Sequence, residues 1–175
     1  GSLVKDTSKI KKIRIKTKDN NIEKTAKNVI LATGARSRNL PFVSSDGVNI
    51  WDYKTAMTPP KLPSSLIIVG SGAIGMEFAS FYNDLGVDVT IVEALPSILP
   101  NEDTDISKIV KLNFEKRGIK IKTNSALKSV TNKENSILAE IITSEKVETI
   151  NSEKLILAIG LCLLYTSPSP RDQLQ

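Results

Sequence analysis

Three glycines and one glutamate in the middle of the chain have the spacing of a site for a large, negatively charged ligand. Gly70, Gly72 and Gly75 follow the apolar residues 66–69 in the order G-x-G-x-x-G. In such a loop the first glycine permits a tight turn, the second lets the backbone approach a pyrophosphate, and the third lets the following helix pack closely on the strand. The N–H groups and the dipole at the helix N-terminus then favour the charge of phosphates. The pattern therefore predicts a dinucleotide-binding loop.

Glu93 indicates which dinucleotide the loop binds. The sequence VDVTIVE at residues 87–93 has the alternation of a second strand, and Glu93, its last residue, lies 23 positions after Gly70. That is close to the separation of about 20 at which an acid accepts hydrogen bonds from the adenosine ribose hydroxyls. A carboxylate there also repels the 2′-phosphate of NADP, so the sequence favours NAD. The alternative interpretation is a tight strand–helix turn without a ligand.

The elements that would position these residues are typical of an α/β fold. Residues 66–69 form a buried strand, and residues 73–85 contain no proline and end at Gly86, which is typical of a helix C-cap. The polar sequence NEDTD at 101–105 is expected to cap a second helix that ends at Gly118. The apolar residues expected near one face of that helix are Ile106, Ile109, Val110 and Phe114. Because capping and dipole compensation explain the acidic cluster, we predict no metal site there.

The sequence that follows this helix adds more strands. A strand around residues 119–121 is followed by short alternating runs, AEIIT and KVETI, which indicate an antiparallel meander. The apolar sequence LILAIG at 155–160 then predicts another buried strand. The expected fold class is therefore α/β, with a Rossmann-like parallel sheet, its helices and an antiparallel meander.

A different pattern precedes the glycine loop. The sequence KIKKIRIKT at 9–17, followed by two asparagines, predicts a polar β-hairpin, and residues 29–31 predict a short buried strand that ends at Gly34. Prolines and a glycine punctuate residues 39–63, which indicates a connection between two bodies, with Trp51 anchoring it against one of them.

Composition excludes several functions. The chain carries a net charge of +5, but its lysines are scattered rather than clustered with aromatic residues, so we expect no nucleic-acid binding. No run approaches the roughly 20 apolar residues of a membrane span, and the N-terminus lacks a signal-peptide pattern, so a soluble cytoplasmic protein is expected. The chain has no histidine and a single cysteine, Cys162, which excludes an intrachain disulfide and a multi-cysteine metal site.

The order of these segments resembles the middle of the flavoprotein pyridine nucleotide-disulfide reductases. ATGAR, a proline-rich crossing, VGSGAIGMEFASFYNDLGVDVTIVE, ILP and FEKRGIKI follow one another as in that family, most closely as in its dihydrolipoamide dehydrogenase branch. The resemblance implies an FAD domain interrupted by an NAD domain and closed by a C-terminal dimerisation domain. It implies a reaction in which electrons pass from dihydrolipoamide through a cysteine pair and FAD to NAD. The implied partners are a lipoyl-bearing protein and a second copy of the enzyme.

The resemblance also implies cofactor-binding residues. Those on the NAD side are Gly70, Ser71, Gly72, Ala73, Ile74, Gly75, Met76 and Glu77, with Glu93 at the ribose, Leu127 at the adenine and Gly160 beside the nicotinamide half. Those on the FAD side are Gly1, Thr33, Gly34 and Ala35. For residues 33–35 a plain exit from a strand into a loop is an equal alternative. Related reductases that use NADP usually carry alanine at the third glycine and basic residues after the second strand, so Gly75 and Glu93 favour NAD.

The resemblance divides the chain into four parts. These are part of an FAD domain at residues 1–40, a linker at 41–62, the NAD domain at 63–161 and a tail at 162–175. The tail departs from the family pattern after Gly160, and CLLYTSPSPRD resembles the translation of a sequencing adapter. We therefore expect a disordered segment that is foreign to the natural protein, and the alternative interpretation is a natural Ser/Pro-rich disordered terminus. The family's redox cysteines and His-Glu pair have no match in this chain, so no catalytic residue is expected in it.

Two classes of function remain open. The first is the NAD-binding middle of a dihydrolipoamide dehydrogenase, or of a mercuric reductase or NADH oxidase that shares the glycine loop. The second is a self-standing NAD-binding module without catalysis. Against the second, residues 1–38 form an unclosed part of another domain whose strands would leave exposed edges.

Overall fold

The computed structural model of the chain describes residues 2–4, 10–143 and 146–164. The chain divides into two compact units, one made of Gly1–Gly34 with Leu163–Gln175 and the other of Ala35–Cys162. The first unit contains a three-stranded antiparallel sheet of β1 (Ser2–Val4), β2 (Lys11–Lys16) and β3 (Asn21–Ala26). The two longer strands form the predicted hairpin, which is therefore confirmed.

The strand predicted at residues 29–31 is not formed. Residues 28–34 contain no strand, and the side chains of Ile30 and Leu31 are 90% and 49% exposed. Within the described part of the chain no strand pairs with this segment. An apolar run of this kind is buried only inside a sheet, so without a neighbouring strand Ile30 and Leu31 stay exposed.

The second unit is an α/β domain. Its elements in chain order are β4 (Ala35–Ser37), β5 (Ile50–Trp51), α1 (Tyr53–Met57), β6 (Ser65–Val69), α2 (Ala73–Asp84), β7 (Asp88–Val92), α3 (Thr104–Lys116), β8 (Lys120–Lys122), β9 (Ser125–Asn132), β10 (Ile137–Thr143), β11 (Lys146–Ser152) and β12 (Lys154–Leu157). The last strand, β13 (Leu161–Leu163), begins in this unit, and its final residue is counted in the first unit. The strands β5-β12-β6-β7-β8 form a parallel sheet in that order. The strands β11-β10-β9 form an antiparallel meander, and β13 pairs with β4. The predicted fold class is confirmed.

The parallel sheet is buried on both faces. Along β6, Ile68 belongs to a core cluster with Met76 of α2, whereas Ile67 belongs to a second cluster with Ile141 of the meander. Successive side chains of a strand point to opposite faces, so each strand supplies both clusters. The alternation in residues 87–93 therefore does not mark an exposed face, because residues 89–92 are all buried.

The two helices that follow β6 and β7 begin and end as predicted. Helix α2 ends before Gly86, which adopts a φ of +85°. The side chain of Asp103 caps α3 by accepting a hydrogen bond from the N–H of Asp105, 2.8 Å from it. The face predicted for α3 is wrong in part, because Ile106 and Ile109 are 52% and 57% exposed. The buried position is Ser107, with Val110 and Phe114 packed on the core, which places the two isoleucines on a flank.

Residues 41–62, read as a linker from the sequence, contribute to the second unit. Trp51 lies in the edge strand β5, is fully buried, and donates from Nε1 to the carbonyl oxygen of Val48 at 2.9 Å. Asp52 caps α1 by accepting from the N–H groups of Lys54 and Thr55. The connection is therefore anchored by this tryptophan, and it also extends the parallel sheet by one strand.

The expectation of a disordered segment from residue 162 is wrong for residues 162–164. Residues 161–163 form β13, and the N–H of Leu164 donates to the carbonyl oxygen of Gly34 at 3.0 Å. Residues 162 and 163 therefore belong to a strand, and residue 164 is held by a backbone hydrogen bond. Residues 165–175 lie outside the described part of the chain. Among the described residues, none of the helices combines the length and apolar character needed to cross a bilayer.

Candidate functional site

The predicted glycine loop lies at the carboxyl end of β6. Gly70 has a φ of +101°, and its N–H donates to the carbonyl oxygen of Val92 at 2.9 Å. A Cβ at residue 70 would lie 2.6 Å from the carbonyl oxygen of Ala158, the residue that follows the neighbouring strand β12. Both the backbone angle and the close approach require glycine at this position.

Helix α2 starts directly against this loop. Gly75 lies in its first turn, where an added Cβ would overlap the carbonyl oxygen of Gly70. Gly72 is the N-cap residue, and no side chain makes a capping hydrogen bond to the helix. The N–H groups of the first helical turn have no acceptors within a helix, so an uncapped N-terminus of this kind is suited to an anion.

A cavity of about 420 Å³ opens beside the loop, and we call it the glycine-loop cavity. It is lined by Gly70, Ser71, Gly72, Ala73, Ile74, Glu93, Pro100, Ala158, Ile159 and Gly160. Seven of the eleven residues predicted for the NAD side thus meet in one cavity. It lies outside the carboxyl ends of the parallel strands, where ligands bind in open α/β sheets.

Glu93 is held in this cavity by three hydrogen bonds to its carboxylate. The side chain is buried, and its Oε2 accepts from the N–H and the hydroxyl of Ser71 at 2.8 and 2.6 Å. Its Oε1 accepts from the N–H of Leu95 at 2.9 Å. The backbone of Glu93 is also fixed, since its N–H donates to Lys122 and its carbonyl oxygen accepts from Ser125. A buried carboxylate in this position is a strong, oriented acceptor.

Four residues predicted for the NAD side lie outside the cavity lining. Gly75 packs on the loop, and Met76 is only 4% exposed within the core under α2. Glu77 is exposed and borders a separate apolar depression of about 400 Å³. Leu127 is buried between the parallel sheet and the meander. Gly75 and Met76 therefore lie on the core side of the loop, away from the cavity.

Three lining residues were not predicted from the sequence. Ala158 and Ile159 lie within the strand predicted at 155–160, but they follow the observed β12, which ends at Leu157. They lie beside the loop because β12 pairs with β6 in parallel. Pro100 belongs to the segment after β7, which is tied to the loop by the hydrogen bond from the N–H of Leu99 to the carbonyl oxygen of Ser71. The motif ILP in this segment contributed to the family resemblance, but no local sequence pattern predicted that Pro100 lines the cavity.

The residues predicted for the FAD side are described in part. Thr33 is exposed, and its hydroxyl donates to the carbonyl oxygen of Leu164 at 3.1 Å. Gly34 has a φ of +84°, and Ala35 begins β4 in the second unit. Gly1 lies outside the described residues. None of these contacts tests an FAD site, so that assignment stays a prediction.

The fold and the glycine-loop cavity together define a class of protein. A parallel sheet, a glycine loop between a strand and an uncapped helix, and a buried acid at the end of the next strand are the features of a Rossmann-type α/β protein. Residues 2–163 match the family described as "Pyridine nucleotide-disulphide oxidoreductase". The chain belongs to this family.

Similar proteins agree with this assignment. The dihydrolipoyl dehydrogenase of Rhizobium etli is 50% identical over 138 residues, which is 78% of this chain and 29% of the relative. That of Zymomonas mobilis is 50% identical over 137 residues, with the same shares. The crystal structure of LpdA from Mycobacterium tuberculosis matches with a TM-score of 0.76 at 31% identity, covering 91% of this chain and 35% of that one. The match thus spans less than a third of the length of the two dihydrolipoyl dehydrogenases.

Proposed function

We propose that this chain is the NAD-binding part of a dihydrolipoyl dehydrogenase. The observation that carries the proposal is the buried carboxylate of Glu93 beside the glycine loop in one cavity. The family is one of FAD-dependent pyridine nucleotide oxidoreductases, and the curated relatives with the name dihydrolipoyl dehydrogenase reach 50% identity.

The residues of the glycine-loop cavity fit a bound dinucleotide. The backbone of Gly72 and the first turn of α2 would hold the pyrophosphate, because no side chain fills the space in front of them. Glu93 would accept a hydrogen bond from a ribose hydroxyl. A 2′-phosphate would instead meet a buried negative charge, which gives a preference for NAD over NADP.

The chain's own part in the reaction is to bind and orient the dinucleotide. NAD supplies the hydride chemistry when it is bound. The sequence has no histidine and one cysteine, Cys162, so it holds no cysteine pair. We assign the oxidation of dihydrolipoamide, the cysteine pair and most of the FAD contacts to the remainder of a full-length enzyme. Thr33, Gly34 and Ala35 would contribute to the FAD site, and the complete enzyme would act as a homodimer on a lipoyl-bearing protein.

A comparison of nucleotides tests this proposal. The full chain is titrated with NADH and NADPH by nucleotide fluorescence, together with the variant Glu93→Arg and the control variant Glu102→Arg. Glu102 is exposed and outside the cavity lining, so this control makes the same charge change elsewhere. Circular dichroism of each variant establishes that it is folded.

We expect the unmodified chain to bind NADH at least about tenfold more tightly than NADPH. In Glu93→Arg this preference is expected to fall or to reverse, and in Glu102→Arg to stay. The proposal is wrong if the unmodified chain binds neither nucleotide, or if Glu93→Arg keeps the original preference.

A further inference from the structure

Ser71 has an identity that the glycine pattern does not explain. The pattern G-x-G-x-x-G leaves the residue between its first two glycines open. In the structure this residue is fully buried, and both its N–H and its hydroxyl donate to the same oxygen of Glu93. Its side chain is therefore directed at the carboxylate rather than at a ligand in the cavity.

These bonds determine where the Glu93 carboxylate has a lone pair free for a ligand. A carboxylate offers about four lone-pair sites, two on each oxygen. The two donors of Ser71 occupy both sites on Oε2, and the N–H of Leu95 occupies one on Oε1. One site on Oε1 is left for a further donor. The terminal torsion of a glutamate is broad, so the bonds to Ser71 are needed to fix the orientation of the carboxylate plane and the direction of the remaining lone pair.

We propose that Ser71 is a positioning residue that sets the nucleotide preference by orienting the Glu93 carboxylate. It fixes Oε2 with its hydroxyl and leaves Oε1 to accept a hydrogen bond from the adenosine ribose. This inference rests on the proposed function, since it assigns a ribose to the cavity. The hydrogen bond from the Ser71 hydroxyl has an ionised acceptor, so it is stronger than a hydrogen bond between neutral groups.

The loop is held by other bonds when the hydroxyl is removed. The carbonyl oxygen of Ser71 accepts from the N–H of Leu99 at 2.9 Å, and the N–H of Gly70 is bound to Val92. The backbone bonds of Glu93 to Lys122 and Ser125 do not involve Ser71. The variant Ser71→Ala therefore removes one donor from the carboxylate and leaves the surrounding backbone contacts in place.

The test compares nucleotide affinities in matched serine variants of the full chain. Ser71→Ala removes the hydroxyl, and Ser71→Thr keeps it. Ser129→Ala is the control, because the Ser129 hydroxyl also donates to a glutamate oxygen, Glu140 Oε2, at 2.8 Å, but in the meander. The dissociation constants of NADH and NADPH are measured for each variant, and again for Ser71→Ala in a Glu93→Gln background.

In Ser71→Ala we expect NADH to bind roughly 3- to 10-fold more weakly, with a smaller change for NADPH, so that the preference falls. Ser71→Thr and Ser129→Ala should keep the original preference. In the Glu93→Gln background the same alanine substitution should change the ratio no further, because the two residues act as one unit.

The outcomes separate this inference from the proposed function. If the unmodified chain binds NADH but Ser71→Ala keeps the NADH-to-NADPH ratio, the positioning role is wrong and the proposed function stands. An equal loss of affinity for NADH and NADPH would show that Ser71 has only a structural role, and it would also overturn the inference. If the unmodified chain binds no NADH, both fail. Should Ser71→Ala not fold, Ser71→Gly gives the same test.

Discussion

The carbonyl oxygen of Gly70 lies so close to the Cα of Gly75 that a methyl group at residue 75 would overlap it. The contact joins the loop after β6 to the first turn of α2. Because helix and strand approach each other closely here, the N-terminus of α2 lies at the cavity. The third glycine of the pattern is therefore needed for packing, and the second for access to the cavity.

The first prediction concerns packing at residue 75. Gly75→Ala should lower the free energy of unfolding by about 1–3 kcal/mol, because the added methyl group forces α2 away from the loop. Urea unfolding followed by circular dichroism measures this change. An unfolding midpoint equal to that of the unmodified chain would mean that the contact with Gly70 is not tight.

The second prediction uses the neighbouring glycine as a matched variant. A Cβ at Gly72 would meet no atom within 4 Å, and its φ is −68°, so alanine is accommodated there. Gly72→Ala should cost less than about 1 kcal/mol of stability, the effect of changing a helix N-cap. It should nevertheless weaken NADH binding at least about tenfold, because the methyl group occupies the approach of the pyrophosphate. Unchanged NADH affinity in this folded variant would argue against a phosphate at the loop.

The third prediction concerns Tyr82, whose hydroxyl donates to the carbonyl oxygen of Ala56 at 2.6 Å in the core. Tyr82→Phe removes this donor and leaves a buried carbonyl without it, at a cost of about 1–2 kcal/mol. Tyr53→Phe is the control, because the hydroxyl of Tyr53 makes a longer bond of 3.4 Å to Ala35. Urea unfolding at neutral pH should separate the two variants, and equal stability of Tyr82→Phe and the unmodified chain would contradict the prediction.

The same tyrosine predicts a dependence on pH. Burial raises the pKa of Tyr82 above its usual value of 10.0, so the folded state favours the neutral phenol. Its contribution to stability is complete below pH 10 and is lost as the pH rises from there through the higher pKa of the folded state. The stability difference between the unmodified chain and Tyr82→Phe should therefore shrink in unfolding curves taken above pH 10.

Local backbone chemistry made much of the fold predictable. The loop at Gly70, the end of α2 at Gly86 and the cap at Asp103 all follow from preferences of single residues and their immediate neighbours. The alternation of strands and helices along the chain on either side of Glu93 follows from the same kind of short-range pattern. These features are local, and the structure confirms them.

Features that depend on distant partners were not predictable in the same way. The apolar run that includes Ile30 was expected to be buried, but burial requires a neighbouring strand. The buried strand at Trp51 and the lining position of Pro100 depend on contacts with segments far along the chain. The bond between Ser71 and Glu93 joins residues 22 positions apart, and no pattern of residue types in the sequence indicates it.

A crystal structure of the full chain with NADH is the most direct test of whether the glycine-loop cavity binds this dinucleotide. We expect the pyrophosphate at the N–H groups of Gly72 and Ala73, and a ribose hydroxyl about 2.5–3.0 Å from a carboxylate oxygen of Glu93. Binding of NADH with its pyrophosphate away from the glycine loop, or with its adenosine ribose out of reach of Glu93, would contradict it.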